Sequence, residues 1–129
     1  MIDAHKLIRD YLITVDGLTD LTGTGRIWAG RDFPIAGYQP SDGNAVVFKA
    51  RDQGPDYDDA VLIVPIQAKC YGTSEIGATT CYRALYDALQ NAATSTILHA
   101  ESDGGGQILE EPETGWLFVL AYFLVVLKQ

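Results

Sequence analysis

The segment WLFVLAYFLVVL (Trp116–Leu127) holds twelve apolar or aromatic residues without one charge. Length separates its possible conformations. A twelve-residue helix spans about 18 Å, whereas a bilayer core of about 30 Å needs roughly twenty apolar residues. A membrane-spanning helix is not expected on that ground. As a strand the run reaches about 40 Å. Its β-branched and aromatic content, and the punctuation by Pro112 and Gly115 before it, favour the strand. Successive side chains of a strand point to opposite faces. Here Trp116, Phe118, Leu120, Tyr122 and Leu124 share one face, and Leu117, Val119, Ala121, Phe123 and Val125 the other. A strand with one wet face alternates between apolar and polar residues. This one needs cover twice, from its own helices and from something else.

Working outward, MIDAHKLIRDYLITV reads as an amphipathic helix over residues 2–15. Ala4, Leu7, Ile8, Tyr11, Leu12 and Val15 form its stripe, and Asp16-Gly17 its end. GLTDLTGTGRI reads as a loop leading to a short strand near 26–29. GRDFPIAGYQPSDGN (30–44) is a long connection with two prolines and three glycines. AVVFKAR (45–51) and AVLIVPIQAKCYG (60–72) read as strands, and the acidic DQGPDYDD (52–59) as the turn between them. Pro65 inside the second implies an edge position or a bulge. TSEIGATTCYRALYDALQNA (73–92) reads as a helix. Thr73 or Ser74 caps it, and Ile76, Ala78, Cys81, Leu85, Ala88, Leu89 and Ala92 form its buried stripe. TILHAES (96–102) is a short strand, DGGGQ a flexible turn, and QILEE a further strand. The expected class is α+β: one domain over 1–129, with a single antiparallel or mixed sheet carrying two helices on one face. The other face is left apolar, which marks an interface.

Composition narrows function. The net charge of −8 argues against tight binding to phosphate backbones, which needs clustered Lys and Arg. Residues 1–15 lack the apolar core of a secretory signal. Cys70 and Cys81 read as free thiols in a reducing compartment, without zinc-ligand spacing to His5 or His99. The cluster Asp52, Asp56, Asp58 and Asp59 lacks calcium-loop spacing and reads as a solvated loop. TGTGR (22–26) and GGGQ (104–107) do not run from a strand into a helix N-terminus, as phosphate loops do. Glu101 and Asp103 are a carboxylate pair on a glycine-flanked loop, poorly suited to fixed acid–base geometry. No catalytic motif, cofactor site or metal site emerges.

The stretch DYDDAVLIVPIQAKCYGTSEIGATTCYRALYDALQN, the N-terminal IDAHKLIRDYL and the final ILEEPETGWLFVLAYFLVVL resemble the tail terminator (tail completion) proteins of long-tailed bacteriophages and related tail-like particles. The resemblance covers almost the whole chain and lies in element order and hydrophobic pattern. It implies a non-enzymatic virion protein of the tail neck, assembled in the host cytoplasm. Such a protein forms a ring, usually a hexamer, with tail tube protein and head–tail connector as partners, no membrane and no cofactor. The ring ends tube polymerisation, and DNA passes through its lumen without specific binding. A neck connector subunit or a tail tube protein is the nearest alternative, and a small ligand-binding or enzymatic α+β domain lies outside that class.

Within this frame Trp116, Phe118, Leu120, Tyr122 and Leu124 are the expected subunit interface. The long loop offers Trp28, Arg31, Phe33 and Tyr38 as a docking arm, since aromatics and Arg are enriched at interface centres. Trp28 and Phe33 equally suit the completion of the core. Six copies carry six times −8, about −48, and an acidic lumen repels DNA phosphates. Asp52, Asp56, Asp58 and Asp59, or Glu110, Glu111 and Glu113, are the acids for that lumen; the other reading places them on a solvated outer rim.

Overall fold

The structure, a computed structural model, describes residues 3–51, 56–57 (as backbone) and 61–128. Among the described residues three α-helices, α1 (Ala4–Leu12), α2 (Asp16–Thr22) and α3 (Glu75–Leu89), accompany six strands. These are β1 (Ile27–Ala29), β2 (Ala45–Ala50), β3 (Asp56–Tyr57), β4 (Val61–Gly72), β5 (Ile97–Glu110) and β6 (Leu117–Lys128). The strands form one sheet in the order β1-β2-β4-β6-β5, with β3 also paired to β4. Only β1 and β2 run parallel. The class is therefore α+β with a mixed sheet, as expected, but with three helices in place of two.

The opening segment is the strand its length and composition require. β6 lies between β4 and β5, paired along its whole length from Gly72↔Leu117 to Val61↔Lys128. Val119, Ala121, Phe123, Val125 and Leu127 are buried beneath the helices, beside Val64, Ile66, Ala68 and Cys70 of β4. Ile8 and Leu12 of α1, Leu18 of α2 and Cys81, Leu85 and Leu89 of α3 close this core from above. Asp3 caps α1 by accepting from the Lys6 amide at 3.1 Å, and Ser74 caps α3 by accepting from the Gly77 amide at 3.1 Å. Each bond satisfies an orphan N–H of a first turn.

Five local expectations are corrected. The first helix stops at Leu12, and Asp16 opens α2 where a loop was expected. Leu18 and Thr22, one turn apart, are both fully buried, so tertiary burial overrides the poor helix propensity of DGLTDLT. Residues 97–110 form one strand, not two strands about a turn. Its register shifts on both sides of Gly105, and Gly104, Gly105 and Gly106 all have positive φ. A Cβ on Gly105 would stand 2.7 Å from Ala121 Cα. The glycines thus serve a bulge pressed against β6.

The third correction concerns Pro65, which lies in a central strand. Its carbonyl accepts from the Arg51 amide on the β2 side. There the ladder passes from Ala50↔Ile66 to Asp56↔Ile63, so the proline's missing N–H falls where the neighbouring ladder is interrupted. Fourth, α3 spans 75–89 and not 73–92. Fifth, Ile76 is no part of its buried stripe: the side chain is 80% exposed, while Ala78, Cys81, Leu85, Ala88, Leu89 and Ala92 are buried. Of the acidic turn 52–59, only the backbone of Asp56 and Tyr57 falls among the described residues. No helix among the described residues is long and apolar enough to cross a membrane.

Candidate interaction face

Among the described residues no α-helix covers the second face of the sheet. Parity sets its composition. Phe118, Leu120, Tyr122, Leu124 and Val126 of β6 lie on it, flanked by Ile63, Pro65, Gln67 and Lys69 of β4. His99, Glu101, Gln107 and Leu109 of β5 flank the other side. Leu120, Tyr122, Leu124 and Val126 are each half-buried, whereas their neighbours Ala121, Phe123 and Val125 are fully buried. The expected subunit-interface residues are thus brought together on one face, and Leu120, Tyr122 and Leu124 keep part of their apolar surface in water.

One end of this face is roofed by the connection between β1 and β2. Tyr38, 7% exposed, packs edge-on against Trp28 and Trp116, with ring centroids at 5.4 and 5.7 Å. Trp116 meets Tyr71 at 6.3 Å, and Tyr71 meets Phe118 at 5.5 Å. Trp28 and Trp116 are half-buried here. This second small core includes Ala45 and Val47. The docking-arm residues therefore separate: Trp28 and Tyr38 complete a core, while Arg31 and Phe33 are exposed, Phe33 at 57%. Arg31 Nε donates to the Phe33 carbonyl at 3.0 Å, which shapes the tip of the loop. An open cleft of about 250 Å³ runs beside it, lined by Phe33, Ile35, Tyr38, Tyr71, Glu113 and Trp116 among others.

Charges on this face are matched in pairs. Lys69 Nζ lies 3.5 Å from Glu111 Oε1, both side chains largely buried. It also sits 4.6 Å from the Phe33 ring centroid and 5.1 Å from that of Phe118, a cation held over aromatic faces. Tyr71 Oη donates to the same Glu111 oxygen at 2.8 Å. Lys49 pairs with Asp32 at 2.6 Å, and Arg51 pairs with Asp103 while lying 5.0 Å over the Tyr122 ring. Glu111 is thereby a structural anchor, largely buried between Lys69 and Tyr71. Glu110 and Glu113 are exposed and keep the lumen reading open. Asp52, Asp58 and Asp59 lie outside the described residues, as does the side chain of Asp56. Sequence reading missed Lys69, Tyr71 and the role of Glu111. The signal for the first two was the parity of β4, which puts them opposite Ala68 and Cys70.

Burial pushes the Tyr38 phenol up to about 12. Burial, then the hydrogen bond to Glu111, push the Tyr71 phenol up further. A raised phenol contributes stability that is intact below the ordinary value near 10 and is lost as pH rises through the folded-state value. The protein is therefore expected to lose stability between about pH 10 and 12 through Tyr38. Tyr38→Phe should flatten that loss in urea-unfolding series. At neutral pH it should cost about 1 kcal/mol for the hydrogen bond from Tyr38 Oη to the Gly43 carbonyl, 2.6 Å long. A Tyr38→Phe profile parallel to wild type above pH 10 would contradict this.

The remaining reactive groups are occupied structurally. Cys70 and Cys81 are free and fully buried. Their mutual hydrogen bond, with burial, pushes the Cys70 thiol well up. His5 Nε2 accepts from the Ala50 amide at 3.1 Å. Among the described residues no group of three or more His, Cys, Asp or Glu side chains is placed to hold a metal ion. The Glu101 and Asp103 pair is split between His99 and Arg51. The face combines an apolar stripe, an aromatic shoulder and three ion pairs. No family model matches the chain, and comparison with characterised proteins finds no relative.

Proposed function

We propose that this chain is a structural ring subunit of the tail-terminator kind, which closes head-to-tail with copies of itself. The ring ends polymerisation of a tail tube and meets a head-side connector, leaving an axial passage for DNA. One observation carries the reading: β6 is apolar on both faces, and the protein's helices cover only one. An apolar sheet face left to solvent in a small domain marks an association surface. A closing heterologous contact yields a ring. The net charge of −8 per copy suits a passage through which a polyanion moves without adhering. The aromatic cleft favours a second reading, a small-ligand module.

Solution mass separates the two. The ring reading expects closed oligomers, six copies by resemblance, in sedimentation velocity and native mass spectrometry. A monomer at every concentration that binds a small aromatic ligand overturns it. Added to polymerising tube subunits, the protein should shorten the tubes. Unchanged tube lengths with an intact ring point to a connector.

A further inference from the structure

Exposed large apolar side chains are few. Among the described residues they are Phe33, Ile35, Ile76, Leu98 and Ile108. Four of the five fall in two places. Phe33 and Ile35 project from the β1–β2 connection on the open-face side of the sheet. Ile76 and Ile108 lie on the helix side, since Ile108 pairs with Val119, whose side chain is in the helix-covered core. There they line a groove of about 270 Å³ between α3 and β5, together with Glu75, Thr79, Thr80 and Arg83.

We infer that the Phe33–Ile35 knob of one copy seats in the Ile76–Ile108 groove of the next. The inference rests on the ring reading and names its contact. Two arguments select a second copy as the occupant. The first is geometric. The two patches lie on opposite layers of the molecule, so a twofold contact that matches either patch with itself leaves the other bare, whereas a head-to-tail contact covers both. The second is charge. Arg31, beside the knob, and Arg83, in the groove, make no ion pair among the described residues. Glu75 lines the groove and Glu113 lines the cleft beside the knob. Seating the knob sets Arg31 toward Glu75 and Arg83 toward Glu113. These two attractions steer copies together despite a net charge of −8 on each.

Paired cysteines and charge reversal test the seating on the full chain. Phe33→Cys with Ile76→Cys should give a ladder of disulfide-linked multimers under a mild oxidant, ending at the ring size; Cys70 and Cys81 are buried and do not compete. Each single variant should stop at monomer. Independently, Arg31→Glu should weaken self-association at least about tenfold, and adding Glu75→Arg should recover most of it. Wild-type rings with no ladder and no response to either reversal overturn the seating and leave the ring reading standing. A groove that takes a different protein gives that same result. A wild-type chain that stays monomeric at every concentration overturns both.

Discussion

Phe123→Ala is expected to lower the unfolding free energy by about 3–5 kcal/mol, the range for truncating a fully buried aromatic. Phe123 has no exposed surface. It stands opposite Ile66 at the centre of the sheet and meets the Tyr86 ring of α3 at 6.5 Å. Strand and helix both contribute walls to the cavity, and the strand cannot move into it without breaking the β4–β6 ladder. A domain of this size has about 5–15 kcal/mol in total, so the variant should be largely unfolded well below the wild-type midpoint. Urea denaturation followed by tryptophan fluorescence reads this directly. A loss under about 1 kcal/mol would mean that the odd-numbered face of β6 is not the core.

The architecture was legible because length set aside a membrane-spanning helix for one segment, and its β-branched and aromatic content, with Pro112 and Gly115 before it, favoured a strand over a buried helix. The parity of 116–127 gave both faces before any neighbour was known. The stripe of the long second helix was legible for the same reason, except at Ile76. At 3.6 residues per turn Ile76 falls on the side of the helix opposite Ala78, Cys81, Leu85 and Ala88, and its side chain is exposed. α2 and β5 were illegible for opposite reasons. In α2 a single fully buried leucine, Leu18, anchors two turns that also hold two aspartates, two threonines and a glycine, too little pattern to outweigh propensity. In β5 three consecutive glycines carry the signature of a turn, and only the close approach to Ala121 shows that the backbone, not a loop, required them.

The candidate face divides along similar lines. Its apolar stripe followed from alternation within one strand. The aromatic shoulder did not, because Tyr38, packed on Trp28, reaches Tyr71 and Trp116 across long sequence separations, and loop composition is silent on such contacts. Glu111 shows the same limit in charge. From sequence it was one acid among three near a turn. In the fold it accepts from Tyr71 and neutralises Lys69, and both partners come from a strand some forty residues earlier.

Leu124→Asp, one residue from Phe123 and on the opposite face, is expected to have the reverse consequence. The side chain is half-buried on the face no helix covers, so a carboxylate there keeps much of its hydration. The cost to the folded monomer should be about 1 kcal/mol. Between copies the same carboxylate is desolvated without a partner. Glu101, directly opposite on β5, is already an acid, and each copy adds its own charge. A buried, unpaired charge at an interface costs several kcal/mol, so self-association should fall at least about 100-fold. Sedimentation velocity on Leu124→Asp should therefore show a folded monomer, with circular dichroism and unfolding midpoint close to wild type. Phe123→Ala should show the opposite pattern, loss of fold first and of assembly only as a consequence. If Leu124→Asp instead assembles as wild type does, the open face of the sheet is not where copies meet, and the proposed ring loses the observation that carries it.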